Sequence, residues 1–463
     1  MRCDIVKKSV YLIIALFGLL IGAVGAFVSI KLAFAAAACL VMLLIILIDF
    51  ETVTYITALY VFIDYVFRNY IGSATIAGHW DELLIILCIG MWFYKWFVYR
   101  KEKPYKWTPI EYPLLFFIGI SLFLLLFNST NMQIGIEGFR AVVEYMLWFF
   151  VIMQLLRTPT GAKRILYLLV LVGTILGLHG IYQYVTHVPV PLTWIDRAEM
   201  GVSSRAFAIM GNPNALASLQ VLFIPVSVSL VFYERKLIKK IIFSITALIM
   251  TACLVFTLTR SAWIAFALAL MIFVFSLNKK LFIPFTIVFI VAASAVAIFI
   301  PSVRNRIVYL LSPEYFISSS KGGRIFRWKK GLKLLLEDNP WFGVGFGRFG
   351  GAVAANNKMP GTIYMDNYYI KCVVETGFIG LSAFLLLIYN VIIWSIRTIL
   401  NLGKSRYGYL AKGIFAGLCG VLFHAFAENV FEVPAVTVYF WIMTAIMMFF
   451  WNSERQGLFG TKE

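Results

Sequence analysis

Long uninterrupted apolar runs constrain this chain more than any other feature. Runs of about 18 residues or more recur along its length, and each can cross a hydrocarbon layer of roughly 30 Å. The chain is 62% hydrophobic and 13% charged, whereas an ordinary soluble domain is about 45–50% apolar and about 25% charged. A water-soluble fold is therefore excluded. The runs predict an all-α, polytopic bundle of transmembrane helices.

The spacing of the runs predicts about twelve to fourteen membrane spans. They lie at residues 10–30, 32–48, 52–67, 83–99, 112–127, 138–156, 165–185, 213–233, 241–258, 261–277, 282–300, 367–396, 409–427 and 433–451. The chain then divides into N-terminal transmembrane helices (1–111), core transmembrane helices (112–300), one long loop (301–366) and C-terminal transmembrane helices (367–463).

Basic residues in the short loops indicate how the chain is oriented. Cytoplasmic loops of membrane proteins carry an excess of Lys and Arg. With the N-terminus inside, every strongly basic short loop falls on one side of the membrane; these loops lie at residues 100–103, 157–164, 234–240, 279–280 and 397–406. Both termini are then predicted to be cytoplasmic.

The loop at residues 301–366 lies on the opposite, outer side and departs from this charge pattern. Its basic residues are Arg304, Arg306, Lys321, Arg324, Arg327, Lys329, Lys330, Lys333, Arg348 and Lys358. Long loops translocate largely regardless of charge, so the orientation stands. Two explanations fit the excess: a solvated basic surface facing anionic headgroups, or a site for an anionic ligand such as a lipid diphosphate. Within the loop, residues 322–333 are predicted to form a basic amphipathic helix on the membrane surface.

Composition argues against several other classes of protein. The formal net charge is +18, but most basic residues sit in short loops beside apolar spans, as membrane orientation requires. No nucleic-acid partner is therefore predicted. The six cysteines show no CxxC spacing and the four histidines form no HxxH pattern, so no metal site is predicted.

Arg260 stands between two spans with almost no loop around it, and it must lie close to the outer membrane boundary. An arginine there is costly unless it is paired or reaches the interface. Two explanations remain: a helix-end arginine that contacts headgroups, or a phosphate ligand. The guanidinium favours the second, because its planar fork of donors matches phosphate oxygens.

Arg205 precedes a predicted helix start. Asn212 or Asn214 would cap this helix, and Pro213 suits its first turn. The segment is either only a helix N-terminus or, in addition, an anion site. The free backbone N–H groups of such a start, beside Arg205, favour an anion.

Three further charged residues, Asp366, Glu375 and Arg140, have structural or functional explanations. Asp366 lies where the long loop re-enters the membrane, so it either caps the next helix or acts as a general base towards an acceptor hydroxyl. Glu375, about two turns deeper, would pair with a buried cation or stabilise the loop. Arg140 has Glu144 four residues later on the same helix face, which favours a structural ion pair.

A glycine-rich stretch at residues 338–350 superficially resembles a dinucleotide-binding loop. No βαβ unit surrounds it, so that interpretation is rejected. The sequence instead favours a turn packed against the membrane by Trp341, Phe342 and Phe346. Further polar groups are expected near the last outer loop, at His424, Glu428 and Glu432.

Four motifs together resemble the bacterial O-antigen ligase and polymerase superfamily. They are Arg205 with residues 211–217, Thr259-Arg260-Ser261-Ala262, Arg324 followed by residues 338–345, and Asn367-Tyr368 with Glu375-Thr376-Gly377. No single motif is specific. Their order and the position of the long outer loop agree with this superfamily across residues 130–450.

The resemblance implies a metal-independent, C-type membrane glycosyltransferase without a cofactor, whose donor is a glycan on undecaprenyl diphosphate. It also implies a set of site residues. Asp366 and Arg260 are expected to be catalytic, Arg205, Arg260, Arg324 and Arg327 to bind the diphosphate, and Asn214, Asn367, Glu375 and Arg140 to support them.

Ligases of this superfamily typically carry a histidine before the asparagine that matches Asn367, and Asp366 stands there in this chain. This difference favours the polymerase branch, in which a lipid-linked repeat unit accepts the growing glycan at the outer face of a bacterial inner membrane. A ligase with a lipid or protein acceptor is the alternative. A flippase for lipid-linked oligosaccharides is the second alternative. Besides membrane lipids, a flippase and a chain-length regulator are expected partners of a polymerase.

Overall fold

The computed structural model describes residues 50–70, 74–99, 105–190 and 204–459. Within these ranges the chain is helical and forms no strand; Pro189 and Ser204 make an isolated antiparallel bridge. The predicted all-α, multi-pass architecture is confirmed. The spans predicted at 10–30 and 32–48 lie outside the described residues, as does most of the loop before Ser204.

The helices of the described part are numbered in chain order. They are α1 (Phe50–Ala58), α2 (Tyr60–Tyr70), α3 (Ala74–Tyr99), α4 (Glu111–Asn128), α5 (Met132–Val143), α6 (Leu147–Leu155), α7 (Pro159–Val185), α8 (Pro213–Tyr233), α9 (Leu237–Phe256), α10 (Arg260–Leu277), α11 (Phe282–Phe299), α12 (Pro301–Leu310), α13 (Pro313–Lys321), α14 (Arg324–Glu337), α15 (Ala352–Asn356), α16 (Tyr368–Leu402), α17 (Arg406–His424) and α18 (Pro434–Arg455).

The chain forms two compact units. The first comprises the residues up to Tyr105 together with Gln154–Gly161, and in it the Tyr60 hydroxyl donates to the buried Asp81 carboxylate at 2.7 Å. The second comprises Lys106–Met153 and Ala162–Glu463, and it contains every predicted site residue.

Eight described helices are long and apolar enough to cross a membrane. They are α4, α7, α8, α9, α10, α11 with the short turn before it, α16 and α18. The span predicted at 138–156 is interrupted, because α5 ends at Val143 and a 3-10 turn separates it from α6. The short span predicted at 52–67 is likewise divided between α1 and α2.

The centre of the second unit is formed by α8, α17 and α18. Of the apolar window of α18, 94% is buried in the protein, whereas none of that of α11 is. Small residues let α17 approach α8 closely: a Cβ on Gly417 would lie 2.4 Å from the Leu222 carbonyl oxygen. Close backbone approach at small residues is typical of membrane helix pairs, which lack a hydrophobic driving force between them.

The long loop predicted at residues 301–366 forms four helices, α12 to α15. The amphipathic helix predicted at 322–333 is present as α14. Its buried residues Gly331 and Leu335 pack against Phe349 and Met365, so one face of α14 rests on the protein.

Residues 339–351, called here the glycine loop, insert into a break in α16. The backbone of α16 is not helical at Gly377, where φ is 66° and ψ is −174°. The freed groups pair with the loop: Gly345 N–H donates to the Glu375 carbonyl at 3.0 Å, and Phe378 N–H to the Pro340 carbonyl at 2.9 Å. Backbone groups in a membrane need such partners, because lipid offers none.

This insertion corrects one expectation for the glycine loop. Trp341 is exposed, in agreement with a residue that faces the membrane. Phe346 is buried and packs against Phe139, with ring centroids 6.0 Å apart, so the membrane-facing position expected for Phe346 is wrong. The loop lies inside the protein because the broken helix requires its backbone.

Candidate active site

Four helices begin where the predicted site residues gather. Asn212 caps α8 by accepting from the Asn214 backbone N–H at 2.8 Å, and Asn367 caps α16 by accepting from Ile370 N–H at 3.1 Å. The other two helices, α10 and α14, start at Arg260 and Arg324 themselves. Each helix start carries partial positive charge, so the backbone as well as the arginines favours an anion here.

Arg205 is held on the segment before α8. Its Nε donates to the Thr257 carbonyl at 2.8 Å. One terminal nitrogen donates to the Asn214 side-chain oxygen at 3.2 Å and to the Thr259 hydroxyl at 3.1 Å. These bonds join the motif around Arg205 to the motif around Arg260, which follows Thr259 directly.

Asn214 extends this network to the loop between α17 and α18. Its amide nitrogen donates to Glu428 Oε2 at 2.5 Å, and the other oxygen of Glu428 accepts from the Tyr364 hydroxyl. Burial raises the pKa of the Glu428 carboxyl, while the Tyr364 hydroxyl and the nearby Arg324 act in the opposite direction.

Asp366 is buried between charged and polar donors. Arg324 Nε donates to its carboxylate at 2.9 Å, Arg327 lies 3.7 Å from the same oxygen, and Trp328 Nε1 donates to the other oxygen at 3.1 Å. Arg324 also donates to the Ala427 carbonyl at 3.1 Å. The interpretation of Asp366 as a helix cap is wrong, because Asn367 caps α16. The Asp366 carboxylate instead pairs with Arg324 and Arg327.

Arg260 lies at the start of α10 and contacts residues of the loop at 301–366. Its guanidinium stands 5.5 Å from the ring centre of Tyr309 and 5.2 Å from that of Tyr315, and it donates to the Arg306 carbonyl at 3.4 Å. The next residue, Ser261, lies 3.1 Å from Nε2 of the buried His424. Cation–π contacts of this kind hold a guanidinium beside aromatic rings.

A triad of charged side chains, Lys371 with Glu375 and Glu432, lies near the start of α16. Lys371 Nζ lies 2.5 Å from Glu375 Oε2 and 2.6 Å from Glu432 Oε1. The second oxygen of Glu375 accepts from Phe349 N–H at 3.1 Å, which ties the glycine loop to α16. Glu375 thus has both predicted roles, pairing with a cation and stabilising the loop.

Arg140 has the structural contact that its spacing predicted. It lies 3.7 Å from the Glu144 carboxylate. The pairing agrees with the structural interpretation of Arg140. In the described ranges, no three His, Cys, Asp or Glu side chains come together as a possible metal site.

The sequence interpretation missed Lys371, Tyr364, Tyr309 and Tyr315. For Lys371 a signal exists, since it precedes Glu375 by four residues inside an apolar span. The tyrosines carry no such local signal, because their contacts lie on other elements.

A multi-pass, all-α membrane protein with arginines at two helix starts, Arg260 and Arg324, and with Arg205 on the segment before a third, is suited to bind an anionic, membrane-bound substrate. Residues 245–385 match the O-antigen ligase family, a segment that contains Arg260, Arg324 and Asp366. The match confirms the resemblance to the O-antigen ligase and polymerase superfamily. No curated protein matches the chain.

The family match supports a membrane enzyme of polysaccharide assembly that transfers a glycosyl group between a lipid-linked glycan and an acceptor. Together with the eight apolar helices, it points to a multi-pass protein of the inner membrane.

Proposed function

We propose that this protein polymerises oligosaccharide repeat units carried on undecaprenyl diphosphate, at the outer face of the inner membrane. The observation that carries the proposal is the convergence of separate motifs. Arg205 is linked through Asn214 to Glu428, and Arg324 donates directly to the neighbouring Ala427 carbonyl and also binds Asp366. A diphosphate between them would meet several guanidinium groups and the partial positive charge of the helix starts together.

The transfer forms a glycosidic bond and breaks the bond between the anomeric carbon and the diphosphate. An acceptor hydroxyl attacks that carbon, and the diphosphate leaves with the bonding electron pair. Arg205, Arg260 and Arg324, with Arg327 beside them, stabilise the charge that develops on the leaving group. Fixed cations aimed at developing charge typically contribute the largest share of such catalysis.

Asp366 receives the proton of the acceptor hydroxyl. Its oxygens now accept from Arg324 and Trp328. When a diphosphate is bound, Arg324 and Arg327 can bind its oxygens instead of Asp366. One oxygen of the Asp366 carboxylate can then accept a hydrogen bond from another group. The side chain is then within hydrogen-bonding reach of a hydroxyl placed at the same site, as a general base must be.

A ligase is the second candidate, because the matched family is described as O-antigen ligase. In that case the glycan passes to a lipid or protein acceptor, with the same arginines on the donor. Asp366 in place of the ligase histidine favours the polymerase. A flippase gains no support from the family match.

The proposal is tested with purified protein and lipid-linked repeat units, without nucleotide sugar. A ladder of products supports the polymerase, and transfer only when a second acceptor is added supports the ligase. We expect Arg260→Ala and Asp366→Asn to lower the rate by about 10²–10³-fold, the typical cost of losing a group that acts in the transition state.

The matched control is Arg304→Ala, which removes an exposed arginine from the same outer loop. It should leave the ladder unchanged. In cells, Arg260→Ala should insert normally while lipid-linked repeat units accumulate. Polymer of normal length in that variant would rule out the proposed mechanism.

A further inference from the structure

Glu428 is a buried carboxylate that the proposed transfer does not use. It is 2% exposed and lies between α17 and α18. Its donors are all neutral: the Asn214 amide, the Tyr364 hydroxyl and the backbone N–H of Asn429. Burying a carboxylate is costly unless its oxygens are hydrogen-bonded, so these contacts fix its orientation.

The amide of Asn214 has opposite partners at its two ends. Its oxygen accepts from Arg205 at 3.2 Å and from the Thr259 hydroxyl at 3.0 Å, and its nitrogen donates to Glu428 at 2.5 Å. If the amide turned over, its N–H groups would face the donors of Arg205, and its oxygen would face the oxygen of Glu428. Glu428 therefore selects the one orientation of Asn214 that binds Arg205.

The other oxygen of Glu428 faces the opposite part of the site. It accepts from Tyr364, which lies two residues before Asp366. The neighbouring residue Ala427 accepts from Arg324. The segment at 427–428 thus contacts both the side of the site that holds Arg205 and the side that holds Asp366.

We propose that Glu428 is a positioning residue, which orients Arg205 through Asn214 and fixes it relative to the segment of Asp366 through Tyr364. The inference rests on the proposed function, since it takes Arg205 as a ligand of the lipid diphosphate. Glu428 acts here by geometry and not by proton transfer. Glutamine keeps the two contacts that the proposal uses, because its oxygen accepts from Asn214 while its amide donates to the Tyr364 oxygen; it loses only the long contact from the Asn429 N–H, at 3.3 Å. Leucine, of similar size, offers neither contact.

The test measures how tightly undecaprenyl diphosphate, without sugars, binds to the purified full-length protein in detergent. We expect Glu428→Leu to weaken binding about tenfold, since it leaves the Asn214 amide free to turn away from Arg205. Glu428→Gln should weaken binding by less than about threefold. Glu337→Leu, the same change at a glutamate of α14 that is 64% exposed, is the matched control.

Two further variants identify the route. Asn214→Ala removes the link itself and should weaken binding as much as Glu428→Leu does; it decides the question if Glu428→Leu does not fold. When Arg205→Ala is already present, adding Glu428→Leu should weaken binding no further, because residues that act through one another are not additive.

Several outcomes would overturn the inference while leaving the proposed function intact. They are unchanged binding in Glu428→Leu, a loss in Glu428→Gln equal to that in Glu428→Leu, or additive losses in the double variant. If the wild type does not bind the diphosphate lipid, or if Arg205→Ala binds it normally, the proposed function fails and the inference fails with it.

Discussion

Lys371 shows how much the surroundings of one residue decide its contribution. It is 2% exposed and has a carboxylate on each side, Glu375 and Glu432. Lys333 also has a glutamate four residues later, Glu337, but these two side chains are 74% and 64% exposed. Water screens the second pair and not the first, so only the first should matter for stability.

We therefore expect Lys371→Met to destabilise the protein strongly, by about 3–5 kcal/mol, because it leaves two buried carboxylates without their cation. Lys333→Met should change stability by about 0.5 kcal/mol or less. The measurement is the apparent unfolding temperature of both variants in detergent, at one scan rate. Equal shifts in the two variants would show that the triad is not a stabilising element.

Individual site residues were predictable to the extent that their chemistry is local. Asn212 and Pro213 predict a helix start from the sequence, and in the structure α8 begins there. Asp366 and Asn367 both suit a cap, and only the position of Arg324, 42 residues away, decides that Asp366 turns to the arginines. Long-range contacts of this kind are set by tertiary packing, which the sequence of one segment does not contain.

At the scale of elements, the break in α16 is the feature with the clearest consequence. Gly377 has a backbone conformation that is almost restricted to glycine, with φ 66° and ψ −174°. A Cβ there would lie 2.1 Å from the Trp341 carbonyl oxygen. Glycine is thus required twice, for the conformation and for the approach of the glycine loop.

Gly377→Ala is expected to displace the glycine loop and to destabilise the protein by more than about 1–3 kcal/mol, since the clash adds to the cost of the conformation. The control is Gly119→Ala in α4, where a Cβ would meet nothing within 4 Å. Unfolding temperature and the yield of folded protein are compared for both variants. A Gly377→Ala protein as stable as the control would contradict the role assigned to the break.

Most elements of the described part were predictable from apolar length alone. The spans expected at 213–233 and 261–277 coincide within a residue with α8 and α10. The insertion of the glycine loop into the break of α16 was not predictable, because hydropathy does not show which backbone groups are unpaired inside a span. The repeated glycines of the loop and the motif around Gly377 are both visible in the sequence. Nothing in the sequence shows that these two segments contact each other.

At the scale of the whole molecule, charge and hydropathy describe one consistent arrangement. Basic short loops mark one side of the membrane, and the outer loop with its arginines marks the other. The proposed chemistry requires this arrangement, since it needs Asp366 and the arginines on the outer side. The orientation of the chain is therefore a prediction that the function depends on.

Membrane-impermeant maleimide tests the orientation in spheroplasts of cells that express the protein. Ser320 is exposed on α13 of the predicted outer loop, and Asn401 is exposed near the end of α16, within the predicted cytoplasmic loop 397–406. We expect Ser320→Cys to be labelled in intact spheroplasts and Asn401→Cys only after permeabilisation. The parent protein is the control for reaction at the native cysteines, of which Cys88, Cys253 and Cys372 are buried.

The opposite labelling pattern would have a definite meaning. It would place Arg260, Arg324 and Asp366 on the cytoplasmic side, where the donor lipid faces inward. An enzyme with that orientation would act before the lipid-linked glycan crosses the membrane and would not extend polymer at the outer face. Because long loops translocate largely regardless of charge, while short basic loops stay inside, the sequence strongly favours the first pattern.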